Sequence, residues 1–262
     1  PISFTFLAAL LYLAAAGILL SRAEPDAAVP NKTAFFLAVN SVLSHALVHI
    51  LEVVNGSGLQ LHFFAALSLV SLGMAALTTS VSLNQRLQAL GIVVFPLAAI
   101  FVVSLYFLGD NKPETLSWQL LMHAMLALLA YATLAIASLL ALMLWFQERA
   151  LRNRKIHGWL RALPPLVHLE TLLFRTVGVG FILLTFVLVT GMLFVDNMMA
   201  QHLWHKTVLS VLSWLVFGGL LLGRWRYGWR GPRAVRLTLI AMTLLLLAYF
   251  GSRAVLEILG RV

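Results

Sequence analysis

Long apolar runs separated by short polar stretches dominate the pattern of this chain. The runs are continuous, as from Leu237 to Phe250, and not alternating as in the strands of a membrane β-barrel. About 20 apolar residues cross the hydrocarbon layer as a helix, and a helix in lipid satisfies its own backbone hydrogen bonds. The pattern predicts an all-α integral membrane protein with eight transmembrane helices: Ile2–Leu20, Thr33–Val54, Leu61–Val81, Leu87–Leu108, Ser117–Phe146, Leu172–Val195, Val208–Gly223 and Leu237–Val255.

No polar stretch is long enough to form a soluble domain. The longest, from Gln147 to Glu170, has about 24 residues, which is too few for an independent core. We therefore predict that residues 1–262 form a single transmembrane helical domain. The first apolar run lacks the positively charged segment that precedes the apolar region of a signal peptide, so we expect it to remain as a span.

The basic residues predict the orientation in the membrane. The loops after the first, third, fifth and seventh spans carry thirteen Lys and Arg residues, whereas the opposite side carries four. Short loops rich in Lys and Arg stay in the cytoplasm. We therefore expect both termini on the periplasmic side of a multi-pass protein of the bacterial inner membrane.

Composition narrows the function classes. The chain is 61% hydrophobic and only 10% charged, which excludes an ordinary soluble enzyme and a disordered chain. The net charge of +9 lies in short loops beside the spans, so it favours contact with the lipid bilayer over binding of nucleic acid. The chain has no cysteine, which excludes thiolate metal sites and covalent haem attachment. No Ser/His/Asp arrangement points to hydrolysis, and we expect that the protein is not an enzyme.

Eight histidines are many for such an apolar chain, and six of them fall in the predicted outer half. His45 and His49 are four residues apart in the second span, so they share one face, followed by Glu52. At 1.5 Å per residue, His123 lies about 9 Å below the outer end of the fifth span, with His49 at about 8 Å and His45 at about 13 Å. A neutral imidazole binds haem iron, zinc or copper. Haem needs one or two axial histidines, commonly from facing helices.

Other interpretations of these histidines stay open at this point. A histidine inside a membrane helix can simply bond a neighbouring carbonyl. A zinc site would need three or four ligands, for which His202-x-x-His205 with Glu52 or Asp196 is an alternative. Five histidines in loops or at span ends are expected to be interfacial or solvated: His62, His157, His168, His202 and His205.

Three cationic side chains have possible partners. Arg253, at the outer end of the eighth span, and Lys206, at the start of the seventh, are candidates to bind an anion such as a haem propionate. Snorkelling to the interface is the alternative for Arg253. Arg175 and Glu170, near the inner end of the sixth span, are expected to form a structural ion pair or a snorkelling pair.

Two segments of the second half carry a resemblance to a known family. One is His-Ala-Met-Leu-Ala-Leu-Leu-Ala-Tyr-Ala-Thr-Leu, beginning at His123, and the other is Phe-Arg-Thr-Val-Gly-Val-Gly-Phe, beginning at Phe174. They resemble two spans of the cytochrome c assembly proteins, the CcsA, CcmC and HemX superfamily. The resemblance covers about residues 117–257. It implies eight spans, outward termini and a haem-related site around His123.

The departures from the family pattern indicate which branch of the family the chain resembles. The loop over residues 197–207 lacks the family's Trp-rich periplasmic motif, and no second periplasmic histidine follows Arg253. The chain therefore resembles the YpjD-type inner-membrane branch, and haem transfer to apocytochrome c is not carried over. The resemblance implies a haem-binding protein of cytochrome assembly or haem handling that holds haem b non-covalently. The expected iron ligands are His45 and His123, and His49 is the second candidate. The expected propionate partners are Arg253 and Lys206.

Two further functions stay open. The chain could be a transporter, or a membrane partner or regulator of one, which keeps the fold and uses intramembrane His and Glu for ions or protons. A protein that passes electrons through a bound haem is a third possibility. We expect the other partners, besides haem and lipid, to be membrane proteins of haem handling or transport.

Overall fold

The computed structural model of this chain describes residues 2–21, 31–57, 61–81, 89–109, 117–153, 164–194 and 204–251. Regular secondary structure in these residues is exclusively helical, and eight helices are long and apolar enough to cross a membrane, as predicted. Two π-helical turns, Val53–Ser57 and Leu247–Gly251, extend the second and eighth helices. The helices are α1 (Ile2–Ser21), α2 (Lys32–Glu52), α3 (Phe63–Val81), α4 (Ala89–Leu108), α5 (Trp118–Arg152), α6 (Leu166–Phe194), α7 (Trp204–Tyr227) and α8 (Pro232–Leu246).

The chain folds into two compact units. Unit 1 comprises Pro1–Thr115 and Arg149–Pro165, and unit 2 comprises Leu116–Glu148 and Leu166–Val262. Helices α1 to α4 therefore belong to unit 1, whereas α6 to α8 and most of α5 belong to unit 2. The prediction of a single transmembrane domain stays a prediction.

In unit 1, α1 packs against α2 and α4, and α3 packs against the same two helices. Alanines without exposed surface, such as Ala15, Ala65 and Ala98, allow the helices to approach closely. Tyr12 is fully buried and stacks on Phe95 with 5.8 Å between ring centroids. Unit 1 is thus tightly packed around small residues and one buried tyrosine.

In unit 2, α7 packs against α6 and α8. Gly180 of α6 leaves no room for a Cβ because Leu134 of α5 fills that space, so the glycine permits the close contact of these two helices. The Tyr131 hydroxyl donates to the Leu245 carbonyl at 2.6 Å and ties α5 to α8. These contacts place α5 beside α6 and α8 and thereby position the side chains of its outer part.

The sixth helix starts earlier than the hydropathy pattern predicts. It begins at Leu166, not Leu172, directly after Pro165, and proline is well tolerated at a helix start because that position needs no N–H donor. His168 therefore lies half-buried in the first turn of α6, and the prediction of a solvated loop histidine is wrong. The hydropathy pattern locates only the apolar part of a helix. The helix itself continues through polar residues for as long as its backbone hydrogen bonds continue.

Candidate functional site

The two histidines of α2 lie together inside unit 1. His45 is fully buried, His49 is 8% exposed, and their rings stack with 5.6 Å between centroids. The predicted shared helix face is confirmed. Intramembrane imidazoles that are buried rather than lipid-facing are candidates for a functional site.

A single hydroxyl from α3 contacts both imidazoles. The Oγ atom of Ser68 is 2.9 Å from Nε2 of His45 and 3.0 Å from Nε2 of His49. Ser68 has no exposed surface, so these contacts are closed to bulk water. A serine hydroxyl carries one hydrogen, so it can donate to one of these nitrogens and must accept from the other.

The contacts continue on both sides of Ser68. Nδ1 of His45 is 3.3 Å from the Tyr12 hydroxyl of α1, and Nδ1 of His49 is 3.7 Å from Oε2 of Glu52. The order of contacts is Tyr12, His45, Ser68, His49 and Glu52, which we call the α2 histidine cluster. The sequence did not single out Tyr12 or Ser68, because one hydroxyl within an apolar run is too common to signal a site.

His62 has a structural role at the start of α3. Its Nδ1 accepts a bond from the backbone N–H of Ala65 at 3.4 Å, which satisfies a donor in the first turn of the helix. The side chain is 8% exposed. A solvated His62 is therefore wrong, because capping keeps the ring against its own helix, whereas an interfacial position of His62 stays a prediction.

His123 of α5 lies in unit 2 with a different arrangement. Its Nδ1 is 3.0 Å from Oγ1 of Thr190 on α6. The Thr190 hydroxyl donates to the Phe186 carbonyl at 2.8 Å, so toward His123 its oxygen acts as an acceptor. With the hydroxyl in this orientation, a neutral His123 carries its proton on Nδ1 and has its lone pair on Nε2.

Gly191 makes room for the His123 ring. A Cβ at Gly191 would lie 3.2 Å from Cε1 of His123, which is tighter than an ordinary contact. The ring itself is half-buried, so one side of it stays accessible. Among the described residues, His123 is thus held by a hydrogen bond to Thr190 and lies against the small Gly191, and its Nε2 has no hydrogen-bond partner there.

The remaining predicted residues are only partly described. Lys206 lies half-buried in the first turn of α7, and His205 beside it is exposed. The predicted roles of Arg253, His157, His202 and Asp196 concern positions outside the described residues. Within the described ranges, no group of three or more His, Asp or Glu could hold a metal ion. The pairing of His45 with His123 on one iron stays a prediction.

Glu170 of α6 forms the principal charged contact of unit 2. Arg230 binds its carboxylate through two nitrogens, with Nε to Oε1 at 2.9 Å and the terminal nitrogen to Oε2 at 2.9 Å. Arg224 of α7 binds Oε1 at 3.1 Å and lies 4.7 Å from the Phe174 ring centroid. We call Glu170, Arg224 and Arg230 the Glu170 clamp. The carboxylate raises the pKa of the Arg230 guanidinium through this hydrogen bond and its charge.

The predicted ion pair between Glu170 and Arg175 is wrong. Residues five apart on a helix point about 140° away from each other, so the two side chains leave α6 in different directions. Arg175 is exposed, whereas Glu170 is 7% exposed. The clamp connects α6 to the turn between α7 and α8 and is structural, because both arginines are engaged with a buried carboxylate.

The histidine environments fit axial ligation of haem iron. Such a ligand presents one ring nitrogen to the metal and donates the other N–H to an oxygen, which holds its tautomer and orientation. His123 with Thr190 meets this description, and His49 with Glu52 has an oxygen on the correct side of the ring. Imidazole is the ligand type that a cysteine-free chain can offer to a non-covalent haem.

Comparison with known proteins identifies the family of this chain. A family model described as cytochrome C assembly protein matches residues 32–260. The inner membrane protein YpjD of Escherichia coli K12 is 32% identical over 260 residues, covering 96% of this chain and 98% of that protein. The cytochrome c biogenesis protein CcsA of Guillardia theta is 24% identical over 217 residues, covering 72% of this chain and 71% of that protein. No solved structure matches.

The match to the family model extends from α2 to beyond α8, so it includes both units. The relative from Escherichia coli aligns over nearly its whole length and is named as an inner membrane protein. Together with the eight apolar helices, this indicates a multi-pass protein of the bacterial inner membrane. The chain belongs to the cytochrome c assembly protein family, in its YpjD-type branch.

Proposed function

We propose that this protein binds haem b non-covalently in the outer half of the membrane and serves haem handling or cytochrome assembly, without being an enzyme. The environment of His123 is the observation that carries the proposal. Thr190 Oγ1 lies 3.0 Å from Nδ1 of His123 and can accept a proton from it when its own hydroxyl hydrogen bonds the Phe186 carbonyl. The family supports haem as the ligand.

Haem supplies an iron with open axial positions, and histidine is a common axial ligand. His123 would bind the iron through Nε2, while Thr190 orients the ring. Gly191 keeps the space in which the ring lies. Lys206, in the first turn of α7, is the described candidate for a propionate, and its short distance in sequence from the helix start leaves its side chain near the membrane surface.

The test is the absorbance spectrum of the purified protein during titration with haemin. We expect a Soret band characteristic of histidine ligation, and a strong loss of that band in His123→Ala. In Thr190→Val the affinity should fall about 10- to 100-fold, as is usual when the oxygen behind a metal-bound histidine is removed.

Thr171→Val is the matched control for Thr190→Val. Thr171 lies on the same helix and also donates to the carbonyl four residues earlier, at 2.8 Å, yet it is exposed and bonds no histidine in the described residues. It should bind haem as the wild type does. A wild-type protein that stays colourless after haem supply overturns the proposal, and so does an unchanged spectrum in His123→Ala.

The physiological role is proposed at the level of haem handling with other membrane proteins. Cells that lack this protein should accumulate less mature cytochrome, and expression of the wild type should restore it. If the His123→Ala variant, present in the membrane at the same level as the wild type, also restored mature cytochrome, the cellular role would not depend on the haem site. That result would contradict the proposal.

A further inference from the structure

We propose that Arg175 of α6 and Arg226 of α7 bind the phosphodiester headgroup of one anionic phospholipid, whose acyl chain lies along the exposed surface between these two helices. The lipid belongs to the leaflet on the basic side of the protein. The surface, which we call the α6–α7 lipid face, comprises Arg175, Gly178, Gly219, Leu222 and Arg226, all at least partly exposed. The inference concerns unit 2 alone and does not depend on the haem proposal.

Arg175 is a charged side chain within an apolar stretch of α6. It is exposed and follows Glu170 by five residues, which places it about 7.5 Å further along the helix. Among the described residues it has no carboxylate partner. A charge that faces lipid inside a span is costly unless an anion meets it. In the described part of the chain no side chain supplies that anion, which leaves the lipid phosphates as its source.

The Glu170 clamp does not neutralise this end of unit 2. Arg224 and Arg230 both bind the single carboxylate of Glu170, so the clamp keeps a positive charge. Arg226 follows Arg224 by two residues, is exposed, and has no carboxylate partner in the described ranges either. Excess positive charge beside the membrane attracts anionic lipid headgroups. The α6–α7 lipid face is therefore complementary in charge to such a headgroup.

The packing of α6 on α7 brings the two arginines to the same end of neighbouring helices. The Arg224 guanidinium lies 4.7 Å from the Phe174 ring centroid. Arg175 directly follows Phe174, and Arg226 is two residues beyond Arg224. Side chains on a helix tilt toward its N-terminus. Since α6 begins and α7 ends at this side, Arg175 tilts toward the membrane surface and Arg226 away from it, so that the two converge.

Beside the arginines the surface of α6 and α7 is open. Phe181 stacks on Trp214 with 5.3 Å between ring centroids and marks the side on which the helices face each other. Gly178 is three residues from both Arg175 and Phe181, so it lies between the lipid-facing side and the α7-facing side of α6. A Cβ at Gly178 or at Gly219 would meet nothing within 4 Å. This open space can hold an acyl chain.

On α7 an exposed apolar stripe leads to Arg226. Gly219, Leu222 and Arg226 follow each other at spacings of three and four residues and therefore share one face. Leu222 is 57% exposed. A guanidinium group binds phosphate oxygens through two parallel N–H bonds. An apolar stripe that ends in arginine thus matches a phospholipid, with its acyl chain on the stripe and its phosphate at the end.

The first experiment counts bound lipids on the full-length protein by native mass spectrometry in detergent. The protein is titrated with phosphatidylglycerol or with phosphatidylcholine, which is zwitterionic. We expect one phosphatidylglycerol to bind at least about tenfold more tightly than phosphatidylcholine, and inorganic phosphate not to displace it. Equal binding of the two lipids overturns the headgroup role, and displacement by inorganic phosphate overturns the assignment to a lipid.

Single charge removals separate a local site from general surface charge. Arg175→Gln and Arg226→Gln should each lower the affinity for phosphatidylglycerol about tenfold, and the double variant should lower it further. Arg236→Gln is the control. Arg236 is also exposed on the basic side, but it lies on α8 and donates to the Pro232 carbonyl at 3.3 Å. Equal losses in the three single variants overturn the proposal.

A steric variant tests the path of the acyl chain without a change in charge. Gly178→Leu adds a side chain to open space, and leucine favours a helix more than glycine does, so the fold should be kept. It should nevertheless lower the affinity about tenfold. Gly17→Leu on α1 is the matched control, because a Cβ there also meets nothing within 4 Å, and it should bind as the wild type does. Wild-type affinity in Gly178→Leu overturns the acyl-chain path.

The second experiment repeats the comparison in a bilayer. Trp225 is 83% exposed beside Arg226, so bromine atoms on the acyl chains of a bound lipid should quench its fluorescence. In phosphatidylcholine vesicles, brominated phosphatidylglycerol should quench the wild type more than the same fraction of brominated phosphatidylcholine. The difference should disappear in the Arg175→Gln/Arg226→Gln double variant and shrink in Trp225→Phe. Equal quenching of the wild type by both brominated lipids overturns the proposal.

Discussion

Units 1 and 2 place their buried polar groups in different ways. In unit 1 the α2 histidine cluster joins α1, α2 and α3 through side chains that include the predicted haem ligands His45 and His49. In unit 2 the groups are separate: the Glu170 clamp connects α6 with the turn between α7 and α8, whereas His123 contacts a single hydroxyl. Stability and predicted ligand binding therefore share residues in unit 1 and have different residues in unit 2.

The two hydroxyls that contact histidine show the same difference. Thr190 has carbonyl acceptors on its own helix, so its oxygen can accept from His123 while its hydrogen bonds the backbone. The contacts of Ser68 are two imidazole nitrogens, so its hydrogen has two possible directions. A hydroxyl that bonds the backbone can accept from one ring, whereas a hydroxyl between two rings can donate to only one of them.

The largest effect on stability is expected from Glu170→Gln. This substitution leaves Arg224 and Arg230 without the carboxylate that they share, and we expect a loss of about 2–3 kcal/mol in the free energy of unfolding because the arginines are partly exposed. The measurement is unfolding of the detergent-solubilised protein, followed by circular dichroism. Haem affinity of the folded fraction should stay unchanged.

A double-mutant cycle is the control for this prediction. In the Glu170→Gln/Arg230→Gln double variant the loss should be smaller than the sum of the two single losses, because the partners interact directly. Additive losses would mean that Glu170 and Arg230 do not stabilise each other directly, whereas a fall in haem affinity with Glu170→Gln alone would mean that the clamp and the binding site are not separate in unit 2.

A smaller loss of stability is expected from His45→Phe in unit 1. An aromatic ring is kept, but Ser68 and Tyr12 lose a buried hydrogen-bond partner, at a cost of about 1–2 kcal/mol. The same unfolding measurement checks it. Asn40→Leu, on the exposed face of α2, is the control and should change little. A stability of His45→Phe equal to the wild type would show that the cluster does not hold unit 1 together.

The smallest effect on stability is expected from His123→Phe in unit 2. Thr190 keeps its bond to the Phe186 carbonyl, so no buried group loses its only partner, and the change should stay below about 0.5 kcal/mol. Haem binding should nevertheless be strongly reduced. A loss of stability as large as that of His45→Phe would remove the contrast between the two units.

The sequence predicted the spans best where the apolar run and the helix end at nearly the same residue. The first span was placed at Ile2–Leu20 and the helix is Ile2–Ser21. It predicted α6 least well, because Glu170 and His168 interrupt the apolar pattern although the helix includes both. A buried carboxylate is compatible with this helix because Arg224 and Arg230 bind it, and that compensation is invisible in local hydropathy.

The residues of the candidate site were likewise predicted only in part. The helical period placed His45 and His49 on one face, and the family resemblance singled out His123. The partners Ser68 and Thr190 could not be predicted, since serine and threonine are frequent in membrane helices and usually bond their own backbone. Which hydroxyl faces a ring depends on how two helices are rotated against each other.

The sequence by itself determined the number of spans, the helical class and the family, because these depend on local composition, apolar length and short motifs. Only the tertiary structure decided that Ser68 lies between two imidazoles, that Thr190 accepts from His123 and that Glu170 binds Arg230 rather than Arg175. Each of these contacts joins residues from different segments. Their geometry is set by the packing of helix against helix, which no local pattern encodes.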